Sequence, residues 1–176
     1  MSEVSADLQQ LCYEFVYRLA MACLNPGFVF DPLHPANPPV PVIMDQQDES
    51  TPSGRFIAIQ GQPTLEPQGV PFVEVQDNTG ERGIVQLYTA NVAVWEVNGN
   101  GSLLNRIREH SYLDSVQVAL DSLQDVTILD TSSVTDTSYK LDNRWIAQGH
   151  MTVNVSVASR ITETLSYITT VETHQV

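Results

Sequence analysis

Basic residues are scarce in this sequence. Eight lysines and arginines face 21 aspartates and glutamates, which leaves a formal net charge of -13, and Lys140 is the one lysine. Such a surface repels a phosphate backbone and an anionic bilayer alike, so tight binding to nucleic acid or to a membrane surface is not expected as the main activity. Long apolar runs are missing too. None approaches the ~20 residues of a membrane-spanning helix. The first turn carries Glu3 and Asp7 where a secretory leader would be basic, so no leader is expected. Cysteine is limited to Cys12 and Cys23. On one helix the two would sit roughly 16 Å apart, too far for a disulfide, and they read as small core residues in a reducing compartment. The sequons at Asn100 and Asn154 carry no meaning without secretion.

The motifs of catalysis and metal binding are also missing. His34, His110, His150 and His174 fall on loop, helix, strand and terminus, none has a partner at metal-ligand spacing, and there is no HExxH or CxxC. No metal or cofactor is expected. Asn98, Gly99, Asn100, Gly101 and Ser102 open a helix, but without a following lysine or Walker spacing they read as a strand-to-helix turn with Ser102 as N-cap. His110, Ser111 and Asp114 are triad residue types, yet neighbours on a helix point apart and no nucleophile elbow surrounds them. They read as a helix kink with polar capping groups. Asp45, Asp48 and Glu49 lack EF-hand spacing and read as a solvated acidic loop. Nothing selects a pair of acids for glycoside hydrolysis.

What is present is a globular pattern. The 42% hydrophobic content suffices for a packed core, and 176 residues fit one domain. Leu8, Leu11, Cys12, Phe15, Val16, Leu19 and Cys23 recur at helical steps and predict an amphipathic helix over residues 6–24, stopped by Asn25, Pro26 and Gly27. Residues 28–54 are rich in proline and acid and predict a loop with at most a short edge strand near residues 40–44. Strands are predicted at 55–60 and 70–76, with a turn at 77–80. Residues 83–97 predict a long strand with two apolar faces: Ile84, Tyr88, Val92 and Val94 on one, Val85, Leu87, Ala93 and Trp95 on the other. Such a strand is covered on both sides, or covered on one and used as an interface on the other.

A second helix is predicted from Ser102, with a break near His110 and Ser111 because Leu103, Leu104 and Ile107 are out of phase with Leu113, Val116, Leu120 and Leu123. A short strand at 126–130 and a polar connection at 131–138 follow. Met151, Val153, Val155 and Val157 alternate with polar residues and predict a half-buried antiparallel strand. A polar tail is expected from about residue 161. The order predicts an α+β fold, an antiparallel or mixed β-sheet with two main helices packed on one face.

This order resembles the tail terminator (neck) proteins of tailed bacteriophages. The likeness is carried by the opening helix at 6–24 and by the acidic loop from Asp45 to Pro52 running into the strand at 55–60. It continues in the long strand that ends at 92–97 before a glycine turn and helix. Last come Leu129 to Val134, then Asn143, Arg144 and Trp145, the alternating strand to Ala158, and Tyr167 to Glu172. It spans most of the chain as a single domain over 1–176. Two departures stand out: Trp145 where a small residue is more usual, and a longer proline-rich segment at 32–41.

The resemblance implies a ring, typically hexameric, that caps the tail tube, ends its polymerisation and joins it to the head connector while DNA passes through its lumen without specific binding. It implies a virion protein made in the host cytoplasm, with itself, the tail tube protein, head–tail connector proteins and the sheath as partners. It implies no membrane and no enzymatic activity. The residues expected at subunit contacts are Asp45, Asp48, Glu49, Pro52, Val85, Leu87, Trp95, Arg144 and Trp145. Two alternatives remain open at this stage. One is another tube or sheath completion protein. The other is a small hydrolase or ligand-binding domain using the 45–54 loop with Asp114 or Glu96.

Overall fold

The computed structural model describes residues 3–28, 38–44, 52–61, 63–75 and 81–164. The first helix, α1 (Glu3–Leu24), buries Leu8, Cys12, Phe15, Val16, Leu19 and Cys23, the predicted stripe, with Leu11 at its margin. It ends where predicted. Gly27 takes φ 79, and the Asn25 amide then ties the helix end to the next segment by accepting from Val40 N (2.9 Å) and donating to Val40 O (3.0 Å).

Residues after that tie form β1 (Val42–Met44), a short edge strand parallel to β2 (Phe56–Ile59). Strand β2 turns Ile57 and Ile59 into the core, and the Tyr13 hydroxyl donates to the Ile59 carbonyl at 2.7 Å. The third strand, β3 (Leu65–Val75), begins five residues before its predicted start. Pro67 and Gly69 hid its first five residues from a propensity reading, and proline is tolerated there because β3 lies at the sheet edge with a bulge between Gln68 and Phe72. The predicted turn at 77–80 lies outside the described residues.

The sheet is built on one long pair. Strand β4 (Glu81–Val97) runs antiparallel to β9 (Gln148–Thr164), and the ladder extends from Glu81 opposite Thr164 to Val97 opposite Gln148. The strand therefore continues to Thr164, beyond residue 161 where a polar tail was expected, because its partner β4 is equally long. The other edge of β4 pairs with β2 and β3, and β9 pairs with β5 (Val126–Thr131) and the two-residue β6 (Thr135–Asp136).

Helices cover one face of this sheet. Ala90, Val92 and Val94 on β4 and Met151, Val153, Val155 and Val157 on β9 pack beneath them. Each such fully buried valine or methionine contributes roughly 1.5–3 kcal/mol relative to exposure. Ile84, on that same face of β4, is 42% exposed, so the helix layer ends before the ladder does.

The predicted break in the second helix is real, and with it the described residues hold three helices. Helix α2 (Ser102–His110) and helix α3 (Asp114–Leu120) meet at Ser111, whose buried hydroxyl donates to Arg108 O at 3.0 Å while its carbonyl accepts from Gln117 Nε2 at 2.6 Å. Two local expectations change. Ser102 is the first helical residue and not the N-cap, which is Gly101 at φ 84. Leu113 is the extended N-cap of α3, half exposed rather than part of a buried stripe.

Between β6 and β9 the chain makes a hairpin that the apolar pattern does not announce. It consists of β7 (Tyr139–Leu141) and β8 (Arg144–Ile146), joined through Asp142 and Asn143 at φ 45 and 63. Two successive left-handed residues define a type I′ turn, whose twist matches that of paired strands.

Candidate functional site

The residues that suggested chemistry are engaged in structural bonds. Glu96 sits on the core face of β4, fully buried. Its Oε1 accepts from Arg55 Nε at 2.7 Å and lies 2.6 Å from Nη2, while its Oε2 accepts from Leu103 N at 2.9 Å and Leu104 N at 3.4 Å. The carboxylate thus caps α2 from the neighbouring strand, at the end of the helix where a negative charge is favoured. Arg55 also bonds Ser102 Oγ. This arrangement explains the glycine turn. A Cβ on Gly99 would fall 1.8 Å from Glu96 Oε1, and one on Gly101 would fall 2.7 Å from Val134 Cγ1. The helix amides that would cradle a phosphate are already occupied by an internal anion.

The second suggestive group is no triad. Ser111 donates to a backbone carbonyl, and Asp114 lies in the first turn of α3. Both thiols are buried, and burial pushes Cys12 up to about 11 and Cys23 up to about 12, so neither is a nucleophile near neutral pH. Among the described residues no group of histidine, cysteine and carboxylate side chains is arranged to hold a metal, and no helix is long and apolar enough to cross a membrane.

Surfaces are the more informative feature. On the face of the sheet away from the helices, an open cavity of about 340 Å³ is lined by Phe56, Ala58, Trp95, Val97 and Gln148, among others. The rings of Trp95 and His150 meet at a tilt of 45° with centroids 4.3 Å apart, and Trp95 Nε1 donates to Gln60 Oε1 at 3.4 Å. The residues expected at contacts fall in separate places. Asp45, Asp48 and Glu49 lie outside the described residues. Pro52 is half-buried ahead of β2, Val85 is buried and Leu87 half-buried far along β4 from Trp95, and Arg144 and Trp145 stand together on the hairpin. Trp145 is 75% exposed, with Tyr139 and Leu141 also exposed on the facing strand.

Sequence reasoning missed two further apolar surfaces. Val70 and Phe72 are exposed on the edge strand β3, and Tyr112, Leu113 and Val118 are exposed at the corner between α2 and α3. Val118 was visible in principle, since it lies off the stripe defined by Val116 and Leu120.

An acidic α+β chain with apolar surface on a free hairpin, an edge strand and a helix corner is built for contacts with other proteins. The chain matches the family described as phage neck terminator protein over residues 7–176, nearly its whole length. The chain belongs to this family. Comparison with curated proteins finds no match. Membership makes it a structural component of the phage tail and neck that completes the tail in contact with other virion proteins. Family membership also accords with a glutamate and a serine that serve the fold.

Proposed function

We propose that the chain acts as one tail-terminator domain forming a closed ring, a hexamer, at the head-proximal end of the tail tube. The ring ends tube polymerisation, joins the tube to the head connector and leaves a lumen through which DNA passes. It catalyses no reaction. The family match over residues 7–176 carries this reading. Two physical features support it. The first is exposed apolar surface on separate elements, which a head-to-tail ring needs because each subunit presents two different faces to its neighbours. The second is the formal net charge of -13, which disfavours adhesion of DNA to a lumen wall.

The test is electron microscopy of tails assembled without this protein. Tubes of irregular or excessive length, shortened to a uniform length when the purified chain is added during growth, are expected. Tubes of normal uniform length without it would overturn the terminator role.

A further inference from the structure

The hairpin β7–β8 is held at its base and free along its blades. Gln148 N donates to Ser138 Oγ at 3.1 Å, Thr137 N donates to Gln148 O at 2.8 Å, and the Ser138 hydroxyl and amide keep the Asp136 carboxyl below its usual value. Above this base neither strand pairs with the main sheet. The pairing register puts Lys140 directly opposite Trp145, so the two share one face, while Leu141 and Arg144 share the other. Apolar and cationic side chains thus stand on both faces. An isolated two-stranded hairpin is marginal in water unless its side chains pack on something.

Charge indicates what that something is. Arg18, Arg55 and Arg160 are each within ion-pair distance of a carboxylate, whereas neither Lys140 nor Arg144 has an ion-pair partner among the described residues. On a chain with a formal charge of -13, the hairpin carries Lys140 and Arg144 against Asp142, and Lys140 is the charge on its Trp145 face. A complementary surface exists on the same molecule. Val118 on α3 is 69% exposed, and Asp114 and Asp121, one turn before and one turn after it, flank it on the same outward face. Tyr112 and Leu113 extend this apolar surface at the preceding corner.

The two surfaces do not cover each other within the chain: Trp145 is 75% exposed and Val118 is 69% exposed. Both are left open to another molecule.

We infer that the hairpin Tyr139–Ile146 of one copy docks on the α2–α3 corner of the next copy through its Lys140–Trp145 face, with Trp145 against Val118 and Lys140 facing Asp114 and Asp121. The contact is head-to-tail, and it rests on the ring reading above. It places one subunit interface on two elements that are both exposed in the single chain.

Charge reversal tests it. One variant carries Lys140→Glu, a second carries Asp114→Lys and Asp121→Lys, and the readouts are mass by light scattering and chain bound per tail-tube end. Each variant alone is expected to need roughly tenfold more protein to assemble, since like charges then meet at the contact. An equimolar mixture is expected to restore assembly in alternating order, which also shows that both variants are folded. Trp145→Ala is expected to weaken assembly with an unchanged thermal midpoint.

Variants that assemble as the unaltered chain does would overturn the contact and leave the ring standing. Loss without rescue in the mixture would overturn the pairing of these two surfaces. Loss of tube binding with self-association intact would give the hairpin to a different partner and likewise overturn it. An unaltered chain that stays single both in solution and on tube ends would overturn contact and ring together.

Discussion

Glu96 shows how one residue can be conspicuous in a sequence while its partners stay hidden there. It occupies a core-facing position on a strand, after Val92 and Val94, so periodicity alone marks it as a charge that folding must bury. A buried carboxylate is a reasonable candidate acid when its partners are unknown. Its partners are Arg55, distant in sequence, and the first amides of α2, and together they consume both oxygens. Removing one member of such a pair leaves the other groups desolvated and unmatched, which typically costs about 3–5 kcal/mol. Glu96→Ala is therefore expected to lower the unfolding free energy by about that amount in urea titration. Arg55→Ala should cost less, because its side chain is 39% exposed and water replaces part of what is lost. Gly99→Ala should also destabilise, since its methyl group would occupy the place of the Glu96 carboxylate. Equal unfolding midpoints for all three variants and the unaltered chain would show that the cap does not hold the β4–α2 junction.

Elements with a long period were legible, and short ones were not. Helix α1 and the core half of β9 each carry an apolar pattern over enough residues to be unambiguous, and the break at Ser111 was visible as a phase slip between two stripes. The first five residues of strand β3 were missed because Pro67 and Gly69 argue against a central strand, and sequence does not show that it lies at an edge. Hairpin β7–β8 was lost for a different reason. Its strands are three residues each, too short for alternation to be seen, and its turn is made by Asp142 and Asn143 without the glycine that usually announces one.

The surfaces suffered most, because exposure depends on which neighbours arrive. Arg144 and Trp145 were noticed through resemblance and the α2–α3 corner was not noticed at all. The hairpin nevertheless behaves as a separable element in one testable sense. Asn143→Pro fixes φ near about -65°, incompatible with the left-handed turn, so it should open the hairpin. Hydrogen exchange at residues 139–146 should then rise sharply while the global unfolding free energy changes by less than about 1 kcal/mol, because neither strand belongs to the main sheet. A global loss of several kcal/mol would mean that the hairpin is part of the cooperative core.

At the scale of the whole molecule, the charge is the property that composition alone revealed and that no single residue explains. Exposed acids are spread over elements that face different ways: Glu66 on β3, Glu109 on α2 and Asp130 on β5. In a ring, only one surface of each subunit faces the lumen, so charge at the other surfaces would serve solubility and partner choice. The two roles separate experimentally. Replacing Glu66, Glu109 or Asp130 by lysine, one surface at a time, removes one negative and adds one positive charge per subunit at that surface. A lumen lined by such lysines would meet the phosphate backbone with the attraction that makes non-specific DNA binding salt-dependent, with a log–log slope of about 0.9 per phosphate neutralised. Particles carrying the lumen-facing change should release DNA more slowly, with the delay shrinking as salt rises, while changes on the other surfaces leave release unaltered. If no exposed acid on any surface shows this behaviour when reversed, the negative charge has no part in letting DNA pass, and its role lies in the contacts between subunits and their neighbours.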